Sequence, residues 1–285
     1  MLHELLLALL GFTGDFVLDV SLPRRRAASQ DAGEDGNGDG EVGPSFRLAP
    51  DLTFLQPSER TAIERLISLG FYYRELNRFA TESRDLSWIQ SSIDVSSPHS
   101  DNTQKGKVRK GSVYRRAIAN GITEILSVYR SAVLQVEQNL LSDPLPILAT
   151  VTHGLNKFEV LLPPLYELVM EIQHKDIKGG QLLNLLHKRC HCGVPELQSC
   201  IQRLLWHGHQ VMFNQLTSWM VYGILQDQYS EFFIRRQDDR DVENESSQRD
   251  VSDKLKQKLA KDTSLASWHT GFHVSLSPFS SLAKQ

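Results

Sequence analysis

The clearest structural signal in this chain comes from residues 204–236, which read LLWHGHQVMFNQLTSWMVYGILQDQYSEFFIRR. Apolar residues recur there at steps of three and four, which return to one face of a helix with 3.6 residues per turn. The spacing therefore predicts a single long helix from Leu204 to Arg236. Its apolar face, extended one turn upstream, consists of Ile201, Leu204, Leu205, Gly208, Met212, Leu216, Trp219, Met220 and Gly223.

A second pattern lies within the same stretch, where four residues recur at every fourth position. Trp219 places a large ring beside the small Gly223, and Asp227 and Glu231 continue the row with two carboxylates. A four-residue step drifts only slowly around a helix, so we expect these residues to form one continuous strip. Arg235 lies four residues after Glu231, which predicts an ion pair on the helix surface.

Three consecutive apolar residues, Phe232, Phe233 and Ile234, complete this region. They cannot all face one side of a helix, so part of the group must pack against a second surface. We interpret the region as a surface for packing within the domain or for a partner. The residues of this predicted surface are Trp219, Gly223, Asp227, Glu231, Phe232 and Phe233.

Helical periodicity covers most of the remaining chain. A short helix is expected at the N-terminus, and long helices are predicted from Pro57 and over 113–141. Another is predicted over 147–162, after which Pro163–Pro164 should break or kink the chain, and Pro195 should begin the last long helix. The apolar seams of the first two long helices are Ala62, Leu66, Leu69, Tyr73, Leu76 and Ala80, and Ile118, Ile122, Ile125, Tyr129, Val133, Val136 and Leu140. No alternating pattern favours a sheet, so we predict an all-α fold, an elongated bundle of roughly seven or eight long antiparallel helices.

Composition divides the chain into a helical domain, residues 1–236, and a polar tail, residues 237–285. Two polar stretches, at about 21–51 and 91–112, contain too few apolar residues to order themselves and are predicted to be flexible insertions. In the tail, FHVSL at 272–276 is typical of a strand, but no partner strand is evident. We therefore interpret the tail as a linker followed by the truncated start of a second domain.

Overall composition excludes several classes of function. The 285 residues are 40% hydrophobic and 23% charged with a net charge of −3, which argues against binding driven by nucleic-acid phosphates. The apolar run near the N-terminus is too short to span a bilayer, so no membrane partner is expected. Three cysteines in a long chain do not indicate a disulfide framework, and a reducing compartment is favoured.

The best candidate for chemistry is a group of histidines and cysteines between residues 187 and 209. The group comprises His187, Cys190, His191, Cys192, Cys200, His207 and His209. Zinc requires four convergent ligands, but this spacing matches no standard zinc pattern, so we predict no metal site. The chain also lacks a nucleophile elbow and a phosphate-binding glycine loop, and we predict no enzymatic activity and no cofactor. A metal-dependent enzyme built on this group is the alternative that metal analysis would test.

Several segments carry a family resemblance. They are MLHELLLALLGF, FLQPSERTAIERLISLGFYYRELNRFA, YRRAIANGITEILSVYRSAVLQVEQNLLSDP, GGQLLNLLHKRCHCGVPELQSCIQRLL and QLTSWMVYGILQDQYSEFFIRR. Together they resemble the N-terminal half of gamma-tubulin complex components over most of residues 1–20 and 52–236. The row from Trp219 to Ile234 is the most specific part of this resemblance.

The resemblance implies a role in assembly. Members of this family have two helical domains, of which the first makes lateral contacts with neighbouring components and the second binds gamma-tubulin. The chain is thus expected to be a non-enzymatic scaffold subunit of the gamma-tubulin ring complex that supports microtubule nucleation. Its expected location is the cytoplasm, at centrosomes and spindle poles, with gamma-tubulin bound indirectly or through a second domain missing here. A generic helical adaptor or a tethering-complex subunit is the alternative.

Overall fold

The computed structural model describes residues 2–19, 45–50, 55–85, 111–142, 148–236 and 272–274. These residues form six helices and four short strands, which confirms the predicted all-α class although fewer helices occur in the described ranges than we expected. The helices are α1 (Leu2–Leu9), α2 (Pro57–Arg84), α3 (Val113–Ser142), α4 (Leu148–His174), α5 (Gly179–Arg189) and α6 (Pro195–Tyr222). The strands are β1 (Val17–Asp19), β2 (Phe46–Leu48), β3 (Ile234–Arg236) and β4 (Phe272–Val274).

The chain folds into two compact units. The first unit comprises the described residues within 1–82 and 119–175, and the second comprises those within 83–118 and 176–285. Helix α3 contributes residues 113–118 to the second unit and its remaining residues to the first. None of the helices in the described ranges is both long and apolar enough to cross a membrane.

The core of the first unit is built on the apolar seams of α2 and α3. Every predicted seam residue of α2 except the half-buried Ala62 is buried, and in α3 only Ile125 and Leu140 are half-buried. At the centre, the fully buried Tyr129 packs edge-on against Phe158, with ring centroids 5.0 Å apart. Its hydroxyl donates a 3.0 Å hydrogen bond to the carbonyl oxygen of Leu9, which ties α1 to α3.

A small antiparallel sheet lies beside these helices. Strand β1 pairs with β2, with Val17 opposite Leu48 and Asp19 opposite Phe46. Successive side chains of a strand point to opposite faces, so Phe46 and Leu48 share one face and Arg47 lies on the other. The face of Phe46 and Leu48 is buried, and Arg47 is exposed. Residues 45–50 fall inside the predicted insertion at 21–51, so that part of the prediction is wrong. The rest of the insertion, and residues 91–110 of the loop predicted at about 91–112, lie outside the described residues.

We predicted a break or a kink at Pro163–Pro164, and helix α4 contradicts the break. Both prolines lie inside one continuous helix, which runs to His174. Each proline removes a backbone donor, but the apolar residues on both sides of the pair are buried. Those residues are Leu161, Leu162, Leu165 and Tyr166. Burial of the apolar face therefore holds the helix together across a site where local preference alone would end it.

In the second unit, α6 ends well before the predicted Arg236. Its C-terminal cap is Gly223, with φ 68°, a left-handed conformation that glycine adopts without steric cost. The N–H groups of Gly223 and Ile224 donate to the carbonyls of Trp219 and Ser218, at 3.1 and 3.2 Å. The prediction of one helix from Leu204 to Arg236 is wrong because this cap ends the helix.

The chain then crosses a loop, residues 223–233, and enters a second two-stranded sheet. Strand β3 pairs antiparallel with β4, so that Ile234 lies opposite Val274 and Arg236 opposite Phe272. The strand expected near residue 272 is confirmed. The expectation that it has no partner is wrong, because its partner comes from the stretch that we had assigned to the long helix.

Candidate functional site

The six residues of the predicted surface are divided between helix α6 and the loop that follows it. Trp219 is in the last turn of α6, Gly223 caps that helix, and Asp227, Glu231, Phe232 and Phe233 lie in the loop that leads to β3. The predicted helical strip is therefore wrong. The structure separates Trp219 from the two carboxylates and brings those carboxylates together with backbone groups of the second unit.

Asp227 organises the loop by accepting hydrogen bonds from its backbone. Its Oδ1 accepts the N–H of Glu231 and its Oδ2 accepts the N–H of Phe232, both at 2.9 Å. A short carboxylate side chain that bonds nearby N–H groups replaces the partners that a helix would supply. The loop bends sharply here, with Ser230 at φ 56°. Asp227 is thus a structural residue of the loop.

Glu231 connects the loop to the beginning of α3. Its Oε2 accepts the backbone N–H of Val113 at 2.9 Å, a contact between residues 118 positions apart. A carboxylate at a helix N-terminus satisfies free N–H groups and faces the positive end of the helix dipole. The predicted surface ion pair with Arg235 is wrong, because the Arg235 guanidinium donates instead to the carbonyl of Ser230, at 3.3 Å.

Burial governs the acidity of Glu231. It raises the pKa of this carboxyl above its ordinary value, and the nearby Asp227 acts in the same direction. Hydrogen bonds from Ser112, Val113 and Tyr114 favour the charged form and oppose that rise. The partly buried Glu231 carboxyl group therefore serves to hold the N-terminus of α3.

A buried hydrogen-bond network lies next to Glu231, and no sequence pattern had predicted it. The Tyr114 hydroxyl donates to Oε1 of Gln215 at 2.9 Å, and Nε2 of Gln215 donates to the carbonyl of Gln226 at 3.1 Å. Burial, together with the carboxylates of Glu231 and Asp227, raises the pKa of Tyr114 well above its ordinary value. The network joins α3, α6 and the loop. The one sequence signal for this network is a polar residue, Gln215, within the apolar pattern of a helix. The structure shows that Gln215 is buried.

The turn before α5 supports the same loop. Arg115 donates to the carbonyl of Ile177 at 3.1 Å and to Oδ1 of Asp176 at 2.9 Å. Partial burial acts to raise the pKa of Asp176, but hydrogen bonds and charge from Lys178 and Arg115 outweigh it and lower the pKa. Gly179 follows with φ 54°, and an added Cβ there would lie 2.5 Å from the carbonyl oxygen of Glu231. Backbone therefore packs directly on backbone at this point.

The aromatic residues after the loop divide between core and pocket. Phe232 and Ile234 are buried, and the half-buried Phe233 lies with its ring centroid 4.4 Å from that of Phe232. The loop and helix α5, together with residues of α3 and α6, line a partly open pocket of about 460 Å³. Residues lining it include Tyr114, Leu183, His187, His209, Glu231 and Phe233. Trp219 lies apart from this group and packs edge-on against Phe272 of β4, with centroids 6.1 Å apart.

The histidine and cysteine group is spread along α5, the following turn and α6. The rings of His187 and His191 lie 5.1 Å apart, and Nδ1 of His191 is 2.9 Å from the carbonyl oxygen of His187. Cys190 is buried, and burial raises the pKa of the Cys200 thiol. Within the described ranges, no three histidine, cysteine or acidic side chains are placed to share a metal ion.

The family can now be assigned. A family model described as "Gamma tubulin complex component N-terminal" matches residues 2–280. The chain belongs to the gamma-tubulin complex component family. This confirms the resemblance drawn from the sequence, and the match includes the Asp227 loop and both strands of the second sheet.

Relatives of known name agree with this gamma-tubulin complex component assignment. The chain is 61% identical over 283 residues to Gamma-tubulin complex component 4 of Arabidopsis thaliana, covering 97% of this chain and 37% of the relative. It is 59% identical over 276 residues to a Gamma-tubulin complex component 4 homolog of Medicago truncatula, covering 97% and 35%. Identity to Gamma-tubulin complex component 4 of Mus musculus is 31% over 236 residues, covering 83% and 31%. The chain thus spans about a third of the length of these relatives, from 31% to 37%.

Proposed function

We propose that this chain is a non-enzymatic scaffold subunit of the gamma-tubulin ring complex. The observation that carries the proposal is the match of nearly the whole chain to the N-terminal model of this family. The structure supports it, because the two conspicuous carboxylates, Asp227 and Glu231, bond to backbone N–H groups. Their geometry is that of residues that fix a loop and a helix end.

The proposed partners are other components of the same complex, contacted side by side. Long helices present extended faces, and association of such faces suits a stable lateral contact. Gamma-tubulin is proposed as an indirect partner, or one bound by a second domain outside the matched third of the relatives. The proposed role is support of microtubule nucleation at microtubule-organising centres such as centrosomes and spindle poles.

Co-sedimentation tests this proposal. A tagged copy of the chain expressed in cells is isolated from extract and run on a sucrose gradient, and the fractions are probed for other gamma-tubulin complex components. We expect those components to co-purify and co-sediment with the chain, whereas purified gamma-tubulin alone should bind it weakly. Migration of the chain as a free species, without any other component, would contradict the proposed function.

A further inference from the structure

We propose that the pocket lined by α5, α6 and the loop at residues 223–233 binds an uncharged, planar aromatic molecule that has a hydrogen-bonding edge. This inference goes beyond the proposed scaffold function and does not depend on it. The pocket, here called the α5 pocket, has a volume of about 460 Å³, which lies within the range of small-molecule sites.

Two helices of the second unit form facing walls of the α5 pocket. Helix α5 supplies Leu183, Asn184 and His187, which cluster on one side of a helix with 3.6 residues per turn. Helix α6 supplies His209 and Met212, which lie about one turn apart. Both helices and the loop belong to the same compact unit, so the whole site lies within that unit.

The loop wall of the α5 pocket is aromatic and is fixed by backbone hydrogen bonds. Tyr229 and Phe233 line the pocket and are half-buried, and the ring centroid of Phe233 lies 4.4 Å from that of Phe232. The Asp227 carboxylate holds the loop by accepting the N–H groups of Glu231 and Phe232, both at 2.9 Å. Aromatic rings on a fixed loop offer a flat ligand a stacking surface, and binding does not have to order the loop.

The charged groups around the α5 pocket are already engaged within the protein. Nζ of Lys178 lies 3.0 Å from Oδ2 of Asp176, and the Arg235 guanidinium donates to a backbone carbonyl. The Glu231 carboxylate accepts the first backbone N–H of α3 at 2.9 Å. A charged ligand would lose hydration among aromatic side chains, and each opposing charge there is already engaged, so its burial would be costly. We therefore expect an uncharged ligand.

Neutral polar groups are available to orient such a ligand. Asn184 and His209 line the pocket and are half-buried, and among the described residues neither side chain takes part in a hydrogen bond. A side-chain amide carries both a donor and an acceptor. Asn184 can therefore pair with a ligand edge that offers a carbonyl beside an N–H group, as a carboxamide does.

Methyl NMR on the full chain tests the site. Of the four methionines, Met212 lines the α5 pocket, whereas Met170 lies on α4 and Met220 is 64% exposed on α6. The apolar pattern had placed Met220 on the buried face of α6, and that prediction is wrong. With isotope-labelled methionine methyl groups, the probe naphthalene-2-carboxamide is expected to shift the signal of Met212 and to leave those of Met170 and Met220 unchanged. No shift at Met212, or an equal shift at Met220, would overturn the proposal.

Two substitutions at Asn184 separate the shape of the α5 pocket from its hydrogen bonding. Asn184→Trp would fill the pocket and is expected to weaken binding of the probe by more than about tenfold. Asn184→Ala removes only the amide and should weaken binding about fivefold. Titration of the Met212 signal measures both, and circular dichroism verifies that each variant is folded.

The matched controls are Asn77→Trp and Asn77→Ala, at an exposed asparagine of α2, and both should bind the probe as the wild type does. Wild-type affinity in either folded Asn184 variant would contradict the proposed site.

The charge of the ligand is tested with the same ring system. The anion 2-naphthoate and the cation 2-naphthylmethylammonium keep the naphthalene ring of the probe and add one charge. Both are expected to bind at least about fivefold more weakly than the carboxamide, because the pocket would desolvate that charge. A charged form that binds as tightly as the carboxamide would show that the uncharged class of ligand is wrong.

Discussion

At the residue scale, Gly179 and Glu231 show how closely the second unit is packed around its loop. The carbonyl of Glu231 lies where a side chain at position 179 would begin, and the Glu231 carboxylate holds the first N–H of α3. Both residues therefore act through backbone groups of distant segments. Their contributions can be separated, because one is steric and the other depends on pH.

Replacing Gly179 with alanine is expected to destabilise the chain by about 1–3 kcal/mol, since the φ of 54° is unfavourable for alanine and the new methyl would collide with a carbonyl. Urea unfolding measures the effect. Gly193→Ala is the matched control, because an added Cβ at that position meets nothing within 4 Å. Equal stability of the two variants would show that the close approach at Gly179 is unimportant.

The raised pKa of Glu231 predicts a pH dependence. The folded-state pKa of this carboxyl lies above the ordinary value of 4.5, so the folded protein binds the proton more tightly than the unfolded chain does. The contribution of this group to stability is therefore fully present below pH 4.5 and declines as the pH rises through the folded-state pKa. Glu231→Gln cannot titrate, so the stability of the wild type relative to this variant should fall as the pH rises. Urea unfolding of both proteins across the acidic range measures the difference. A difference that stays constant or grows with pH would contradict the assignment.

At the element scale, one buried network couples the beginning of α3 to α6 and to the loop beyond it. Gln215 occupies a core position of α6 and is satisfied by Tyr114 on one side and by Gln226 on the other. A helix end that depends on a partner more than a hundred residues away is stable only in the folded unit.

The variant Tyr114→Phe tests this coupling. Loss of the hydroxyl leaves the buried Oε1 of Gln215 without its donor, so we expect a loss of about 1–2 kcal/mol in the free energy of unfolding. Thermal or urea unfolding measures it. Tyr222→Phe, at a tyrosine that is 71% exposed, is the control and should be neutral. An equally large loss of stability in the control would mean that the buried network contributes no more to the free energy of unfolding than an exposed hydroxyl does.

At the scale of the whole molecule, the chain carries a small net charge of −3, and helix α6 exposes Trp206, Phe213 and Met220 while containing only two charged residues, Glu196 and Arg203. Association through such a face depends on apolar burial, which salt does not screen. Binding to neighbouring components is therefore expected to change less than about twofold between roughly 0.1 and 0.5 M NaCl. Co-purification at the two salt concentrations measures this, and a tenfold loss at high salt would indicate a contact made by charges.

Local periodicity was sufficient to predict the long helices that the structure has at Pro57–Arg84 and Val113–Ser142, because their apolar residues recur along the chain. The family came instead from the resemblance of particular segments. Periodicity failed at two places, one decided by a local glycine cap and the other by burial within the folded unit. Gly223 ends α6 although the apolar repeat continues, and Pro163–Pro164 do not end α4 although proline disfavours a helix interior.

The candidate site shows the same division. Four of its residues were predicted from a four-residue repeat and two from a run of apolar residues, but their roles were not. Asp227 and Glu231 accept backbone N–H groups because Val113, 118 residues upstream of Glu231, is brought to the loop by folding. The amino-acid pattern therefore singled these residues out, and their importance for function stays a prediction. Three-dimensional packing specified what they contact, since hydrogen-bond partners distant in sequence leave no periodic trace in the chain.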